Sequence, residues 1–142
     1  MKNKRNTKGA SAVEFAILLP LLVALIFGII EFGLLMYNKQ VITNASREGA
    51  RAGIVYSPRP GEPEIIQVVR NYADSRVVTF GATQVTTPDV PSGACTAFGN
   101  DLIVDVSFPY QFLVFSRVVD LLGSGTMPGT IILTARTVMR CE

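Results

Sequence analysis

Two acidic residues interrupt an otherwise apolar stretch near the start of the chain. Glu14 and Glu31 are the charged residues between Ala10 and Tyr37, and no charge occurs from Phe15 to Ile30. A carboxylate surrounded by lipid is costly, so such residues usually have a partner or a function. Glu14 is either paired with a positive group of a neighbouring subunit or oriented towards the cytoplasmic headgroups. For Glu31 we favour a carboxylate at the outer face of the membrane, with a subunit contact as the alternative.

Residue types that usually carry catalysis or bind metals are rare or scattered. The chain has no His, which excludes an imidazole base and a His-ligated metal. Two cysteines are too few for a zinc site made of cysteines alone. We interpret three carboxylates, those of Asp101, Asp105 and Asp120, as solvated rather than as a calcium site, because they fall on different predicted elements. A net charge of +2 is too small for a nucleic-acid-binding surface. We expect no catalytic residue, metal, cofactor, nucleic acid or small-molecule substrate.

The apolar stretch is long enough to cross a membrane. As a helix rising about 1.5 Å per residue, Phe15 to Tyr37 would extend roughly 34 Å, against about 30 Å for the hydrocarbon core. The first eight residues carry basic charges and no acid, so the N-terminus should stay in the cytoplasm and the chain after Tyr37 should lie outside. A cleaved secretory signal is disfavoured, because its apolar core is shorter and is followed by a small-x-small site.

Helical periodicity continues beyond the apolar stretch. Small and apolar residues recur at helical spacing and would let another element pack closely: Val41, Ala45, Gly49, Ala52 and Tyr56. We therefore expect one helix from about Ser11 to about Ile54, with residues 38–56 as its amphipathic outer part. The proline-rich segment 57–63 should end it.

The residues that follow predict a small α+β domain packed on the outer part of the long helix. A second helix is expected from Pro63 to near Gly81. Its apolar face would contain Ile66, Val69, Ala73, Val77 and Phe80.

Alternation of apolar and polar residues predicts strands further along the chain. One strand should run from Leu102 until Pro109 ends it, and a last strand should bury Ile131, Leu133, Ala135 and Met139 on one face. A short strand at 83–87, a loop at 88–99, a helix at 112–122 and a turn at 123–129 complete the prediction. We expect these aromatic residues to lie mainly in the core rather than in an exposed binding patch: Phe108, Tyr110, Phe112 and Phe115.

The fold class is therefore α+β. A long N-terminal transmembrane and amphipathic helix packs against a small, mainly antiparallel β-sheet domain with one or two short helices. Cys95 and Cys141 are the two cysteines, and both lie on the predicted outer side. In an oxidising compartment they would pair most simply with each other, adding about 3–4 kcal/mol of stability. Free thiols and pairing between chains remain alternatives.

Three motifs closely resemble the TadE-like family, which comprises minor pilins or pseudopilins of tight-adherence pili, relatives of type IV pili. They are KGASAVEFAILLP at 8–20, GIIEFG at 28–33 and NASREGAR at 44–51. The resemblance covers about residues 8–53, and weaker similarity occurs at 104–109 and 134–140. It implies a pilin-like fold.

The resemblance also implies processing of the N-terminus. A prepilin peptidase would cleave between Gly9 and Ala10 and remove residues 1–9 as a cytoplasmic leader. Glu14 would then be the fifth mature residue, followed by Phe15 where major pilins often have tyrosine, which favours a minor subunit. The Glu14 carboxylate would pair with the Ala10 amine of a neighbouring subunit and set the axial register. Pro20 would kink the helix or ease its local melting.

The implied function is that of a structural subunit, not an enzyme, in the assembly of an adhesive tight-adherence pilus. Its partners would be the prepilin peptidase, other pilins or pseudopilins, the inner-membrane assembly platform and membrane lipid. It would cross the bacterial inner membrane once, N-terminus inside, and could enter the extracellular pilus. The expected parts are a leader (1–9), a transmembrane helix (10–37), its outer continuation (38–56) and an extracytoplasmic domain (57–142). The alternative is an uncleaved membrane anchor that carries an extracytoplasmic binding module.

Overall fold

The fold consists of one long helix, one short helix and a three-stranded sheet. A computed structural model describes residues 7–55, 58–79, 85–114 and 129–142. Helices α1 and α2 span Thr7–Gly53 and Glu62–Ala73, and strands β1, β2 and β3 span Thr87–Asp89, Asp101–Gln111 and Thr130–Arg140. The strands form an antiparallel sheet in the order β1-β2-β3. The predicted α+β class is confirmed.

Several predicted features lie outside the described residues. They are the start of the basic segment (1–6), part of the predicted strand at 83–87, most of the predicted helix at 112–122 and of the turn at 123–129, and the residues Tyr56, Phe80, Gly81, Phe115 and Asp120.

Helix α1 is continuous and exposes its apolar first half. It begins at Thr7, about one turn before the expected start, and runs through Pro20 to Gly53. From residue 9 to residue 30 its side chains are exposed or half-buried, and Ile17 is 71% exposed. Within the described ranges α1 is the one helix whose length and composition suit a membrane span. Its first half therefore presents apolar side chains outward instead of contributing them to the core.

The second half of α1 packs against α2 and the sheet. The buried small and apolar residues on this part of the helix are Val41, Ile42, Ala45, Ser46, Gly49, Ala50 and Gly53. The predicted stripe is right at Val41, Ala45 and Gly49. It is wrong at Ala52, which is half-buried. The error arises because α2 and the sheet cover two adjacent lines of the helix surface rather than one.

Two glycines let neighbouring elements approach the α1 backbone closely. A Cβ atom placed on Gly49 would lie 2.4 Å from Cγ2 of Val69 on α2. One placed on Gly53 would lie 2.4 Å from Cδ2 of Leu102 on β2 and 2.8 Å from Cδ1 of Ile65. The space that a side chain would need is thus occupied by α2 and β2.

Helix α2 is shorter than predicted, and its buried face agrees with the prediction at Val69 and Ala73 but begins with Ile65 instead of Ile66. It ends at Ala73 instead of near Gly81. Its buried residues are Ile65, Val69 and Ala73, whereas Ile66 is only partly buried. Ile65 is buried in place of Ile66 because its side chain fills the space left by the absent side chain of Gly53.

Helix α2 does not continue because polar groups of the residues that follow it form hydrogen bonds with α1 and with the segment before β1. The side chain of Asn38 on α1 accepts from Val78 N (2.8 Å) and donates to Val78 O (3.0 Å). Continuing the helix would need that N–H for the carbonyl of Asp74. The Asp74 carboxylate in turn accepts from Thr86 N and Oγ1 at 3.2 and 2.6 Å. These bonds direct the chain from α2 towards β1.

The sheet buries one face on the helices. Alternate residues of β2 are buried, from Leu102 to Tyr110, and β3 buries the face that contains Leu133 and Ala135, as predicted. Pro109 does not end β2, which continues to Gln111. Among the described residues, β1 pairs only with residues 105–107, so β2 is an edge strand at Pro109, and a proline is tolerated in a strand that is paired on one side only. The expected loop at 88–99 is also wrong at its start, since Pro88 lies in β1.

A disulfide joins the loop before β2 to the residue after β3. The sulfur atoms of Cys95 and Cys141 are bonded at 1.98 Å, and Cys141 is 1% exposed. Backbone bonds reinforce this end of the sheet, from Gly99 N to Cys141 O (2.9 Å) and from Cys141 N to Asn100 O (2.8 Å). The cross-link thus holds the end of the sheet near the C-terminal end of α1, where Leu102 approaches Gly53.

The close packing at Gly49 predicts an asymmetry between two helical glycines. Gly49→Ala should lower the free energy of unfolding by about 1–3 kcal/mol, because the stiff Val69 side chain must move. Gly33→Ala is the matched control, because a Cβ there meets nothing within 4 Å. It should leave stability unchanged or raise it by up to about 1 kcal/mol. Denaturant unfolding in detergent, followed by circular dichroism, measures both. Equal effects would contradict the packing argument.

The disulfide should contribute substantially to the stability of the outer domain. Replacing both Cys95 and Cys141 with serine should cost about 3–4 kcal/mol, since the bond closes a long loop in the unfolded chain. Reductant should lower the melting temperature of the wild type to about that of the double variant. The double variant, which has no bond to lose, should be insensitive to reductant. A wild type that is equally insensitive to reductant, although its thiols become titratable, would refute this contribution.

Candidate functional site on the long helix

The residues predicted to govern processing and subunit contact lie together at the exposed start of α1. Gly9, Ala10, Glu14 and Phe15 are all exposed, Phe15 at 62%. Ala10 and Glu14 are four residues apart and therefore lie on the same side of the helix, one turn from each other. The Glu14 carboxylate is accessible to a group outside its own chain, such as a lipid headgroup or a cation of another subunit.

An apolar surface follows Glu14 directly. A shallow groove on the helix is lined by Phe15, Leu18, Leu19, Leu21, Leu22 and Leu25. Pro20 lies within this segment, and the helical hydrogen bond that Ala16 O would accept from residue 20 is missing because proline has no N–H. The predicted kink at Pro20 remains a prediction. This surface has the composition to contact acyl chains or other apolar helices.

Glu31, the second carboxylate, is in a different environment from Glu14. Glu31 is only 5% exposed. Its Oε1 accepts a hydrogen bond from the backbone N of Leu113, just after β2. Its backbone carbonyl accepts from the Tyr110 hydroxyl at 3.3 Å. The structure thus gives Glu31 a partner in its own chain, a possibility that neither sequence interpretation included.

Tyr110 completes this junction between α1 and β2. Its side chain is 2% exposed, and its ring packs edge-on against Phe112, with centroids 5.6 Å apart and an interplanar angle of 88°. Burial raises the pKa of the Tyr110 phenol, and the Glu31 carboxylate raises it further. The phenol therefore stays neutral and remains a hydrogen-bond donor at ordinary pH.

Two further buried polar residues tie α1 to the outer domain, and neither was predicted from the sequence. Asn38, which is fully buried, holds the backbone of Val78 as described above. Ser46 is also fully buried, and its Oγ lies 2.7 Å from Thr137 Oγ1 on β3. The spacing of these residues could have indicated their burial. Asn38 follows Glu31 by two helical turns, and Ser46 lies one turn before the small residue Gly49.

The outward face of the sheet is mixed, with polar residues at its centre and the exposed Ile132 and Val138 towards its two ends. Asp105 and Arg136 form a bidentate pair, with N–O distances of 2.7 and 2.6 Å. The hydrogen bonds from Arg136 lower the pKa of the Asp105 carboxyl below its ordinary value. The described ranges contain no cluster of three acidic or cysteine side chains that could hold a metal ion. The Arg136 side chain is 67% exposed, so the pair lies on a solvated face of the sheet.

The aromatic residues of β2 are directed inward. Phe108 and Tyr110 are buried and Phe112 is partly buried, in agreement with the expected core placement. Phe98, by contrast, is 82% exposed on the loop beside the disulfide. The exposed aromatic patch that a binding module on β2 would need is therefore missing from the described part of that strand.

The comparison with known families concerns the same helix. Residues 9–51 match the model of the TadE-like proteins, a structural, non-enzymatic family associated with tight-adherence pili. The matched range contains Glu14, Pro20, Glu31, Asn38 and Ser46. No curated protein and no solved structure matches the chain. The long helix of this protein is therefore TadE-like from residue 9 to residue 51, which confirms the resemblance expected from its sequence.

Proposed function

We propose that the protein is a minor pilin or pseudopilin, a structural subunit in the assembly of an adhesive tight-adherence pilus. The observation that carries the proposal is the division of α1 into two halves. The first half exposes an apolar surface that starts at Glu14, and the second half is built into a folded domain. The family match covers both halves. Such a helix can exchange lipid contacts for contacts with other helices while its folded domain stays intact.

In this proposal Glu14 sets the position of each subunit along the filament. Prepilin peptidase cuts between Gly9 and Ala10 and creates a new amino group one helical turn before Glu14. In a bundle of parallel helices, the carboxylate of one subunit pairs with this amine on its neighbour. Pairing is required because an isolated charge in an apolar bundle costs several kcal/mol. Pro20 supplies a weak point where the helix can bend as it is extracted from the membrane.

The proposed organisation follows from the same helix. Residues 1–9 are the leader, 10–37 cross the inner membrane, 38–56 continue the helix outside, and 57–142 form the outer domain. The N-terminus lies in the cytoplasm, since basic residues precede the apolar stretch. Glu31, within the proposed span, already bonds to the outer domain through Leu113. The proposed partners are the peptidase, other pilins and the assembly platform in the inner membrane.

The proposal predicts that Glu14→Ala separates assembly from folding. Removing the carboxylate leaves the amine of the neighbouring subunit unpaired, so the amount of protein in sheared pili should fall about tenfold or more. Membrane insertion and the melting temperature of the outer domain should be unchanged, because Glu14 is exposed in the single chain. Quantitative immunoblots of the pilus and membrane fractions measure the distribution.

Glu48→Ala is the matched control. Glu48 is also an exposed glutamate on α1, but it lies beside the outer domain rather than in the apolar half. This variant should enter pili at the wild-type level. If Glu14→Ala also enters pili normally, the proposed role of Glu14 is wrong.

A further inference from the structure

The end of β2 that meets Glu31 carries exposed apolar side chains. Leu113, whose backbone N is bonded to the Glu31 carboxylate, is 49% exposed. On α1, Phe32 is 63% exposed, and Met36 and Tyr37 are each 46% exposed. Exposed apolar residues thus occur on both partners of the Glu31–Leu113 contact, on the outer domain and within two helical turns on α1. If this junction faced water, its exposed apolar side chains would be energetically unfavourable.

The depth of this junction in the bilayer follows from the position of Glu31 along α1. Glu31 lies 17 residues after Glu14, which is roughly 26 Å along the helix axis, while the hydrocarbon core is about 30 Å thick. When the charge-free run from Phe15 to Ile30 is centred in the bilayer, Glu31 reaches the outer boundary of the hydrocarbon. Leu113 must lie at the same depth, because its backbone is hydrogen-bonded to the Glu31 side chain.

The orientation of the sheet places only one of its ends at that depth. Leu102, near the start of β2, approaches Gly53, and Tyr110, near its end, bonds to Glu31. Strand β2 therefore runs down towards the membrane as α1 runs up from it. From Glu31 to Gly53 the helix rises roughly 33 Å. The disulfide and the exposed Phe98 belong to the upper end, since both adjoin the start of β2.

We propose that the lower end of β2 is inserted in the interfacial layer of the outer leaflet, with Leu113 as its apolar anchor. The domain would then contact lipid at a second place besides the spanning helix. This contact is supported by the exposed apolar residues of α1 at the same height and by the exposed Tyr37, since tyrosines are favoured at this depth. The inference rests on the membrane insertion of α1 assumed in the proposed function. The contact would be released when the subunit leaves the bilayer.

The chain itself offers a clean test, because it contains no tryptophan. Three single-tryptophan variants of the full chain are reconstituted in phosphatidylcholine vesicles, with or without bromine on the acyl chains. Leu113→Trp is the test, Leu22→Trp reports the centre of the apolar run, and Phe98→Trp reports the upper end. All three replace exposed side chains. We expect bromolipid to reduce the tryptophan fluorescence of Leu113→Trp and Leu22→Trp at least twofold and to leave that of Phe98→Trp unchanged.

The depth of the bromine atoms adds a second expectation. Bromine close to the headgroup should quench Leu113→Trp more strongly than bromine near the bilayer centre, and the order should reverse for Leu22→Trp. If Leu113→Trp lowers the melting temperature, Leu113→Cys carrying a nitroxide spin label takes its place. The measured quantity is then the collision rate of the nitroxide with oxygen, which is enriched in lipid, relative to that with a water-soluble nickel chelate.

Each contrary result has a distinct meaning. Quenching of Leu22→Trp without quenching of Leu113→Trp would overturn the inference and leave the membrane anchor intact. Emission from Leu113→Trp that is blue-shifted but unquenched would mean that protein, such as a second copy, covers the site, and would also overturn it. If Leu22→Trp is not quenched, α1 is not in the bilayer, and both the anchor and the inference fail.

Discussion

One helix must serve two environments, and this constraint explains most of the structure. The outer domain is assembled on the second half of α1, where Gly49 and Gly53 admit α2 and β2 against the helix backbone. The first half of α1, which follows Glu14, remains apolar and exposed. A larger side chain at either glycine would push the domain away from the helix, whereas the apolar half has no such restriction. The two halves can therefore be optimised separately.

Polar contacts fix where along the helix the domain sits. Glu31, Asn38 and Ser46 each reach a different part of it: the end of β2, the segment after α2, and β3. An apolar interface alone would tolerate a shift by one helical turn. Such a shift would leave these buried groups unsatisfied, which is costly. We interpret the three residues as contacts that fix the position of the domain along α1.

The two carboxylates that flank the charge-free run of α1 lie in different environments. Glu31 is satisfied within its own chain, whereas Glu14 is exposed at the beginning of the apolar surface. A chain that acts alone has little reason to carry an exposed carboxylate at that position. The contrast supports the proposed subunit contact of Glu14, because the other carboxylate shows how this fold satisfies a charge when it can.

Local patterns predicted the elements, and long-range contacts determined what the prediction missed. The extent of α1, the alternation on β2 and the face of β3 follow from periodicity, which needs no knowledge of partners. The end of α2 does not, because it depends on Asn38, which is 40 positions away from Val78. The same holds for Pro109, whose tolerance in β2 depends on the short length of β1. At the site, the sequence placed Glu31 near the membrane surface but could not show that Leu113 meets it.

The central claim is that this chain is a processed pilin-like subunit, and its N-terminus tests that claim most directly. The protein should be purified from its native membrane, in cells with an active prepilin peptidase, for N-terminal sequencing and intact mass. The account predicts a chain that begins at Ala10 and lacks residues 1–9. A chain that still begins at Met1 or Lys2 would contradict it and would make the protein a permanent single-span anchor with an outer domain.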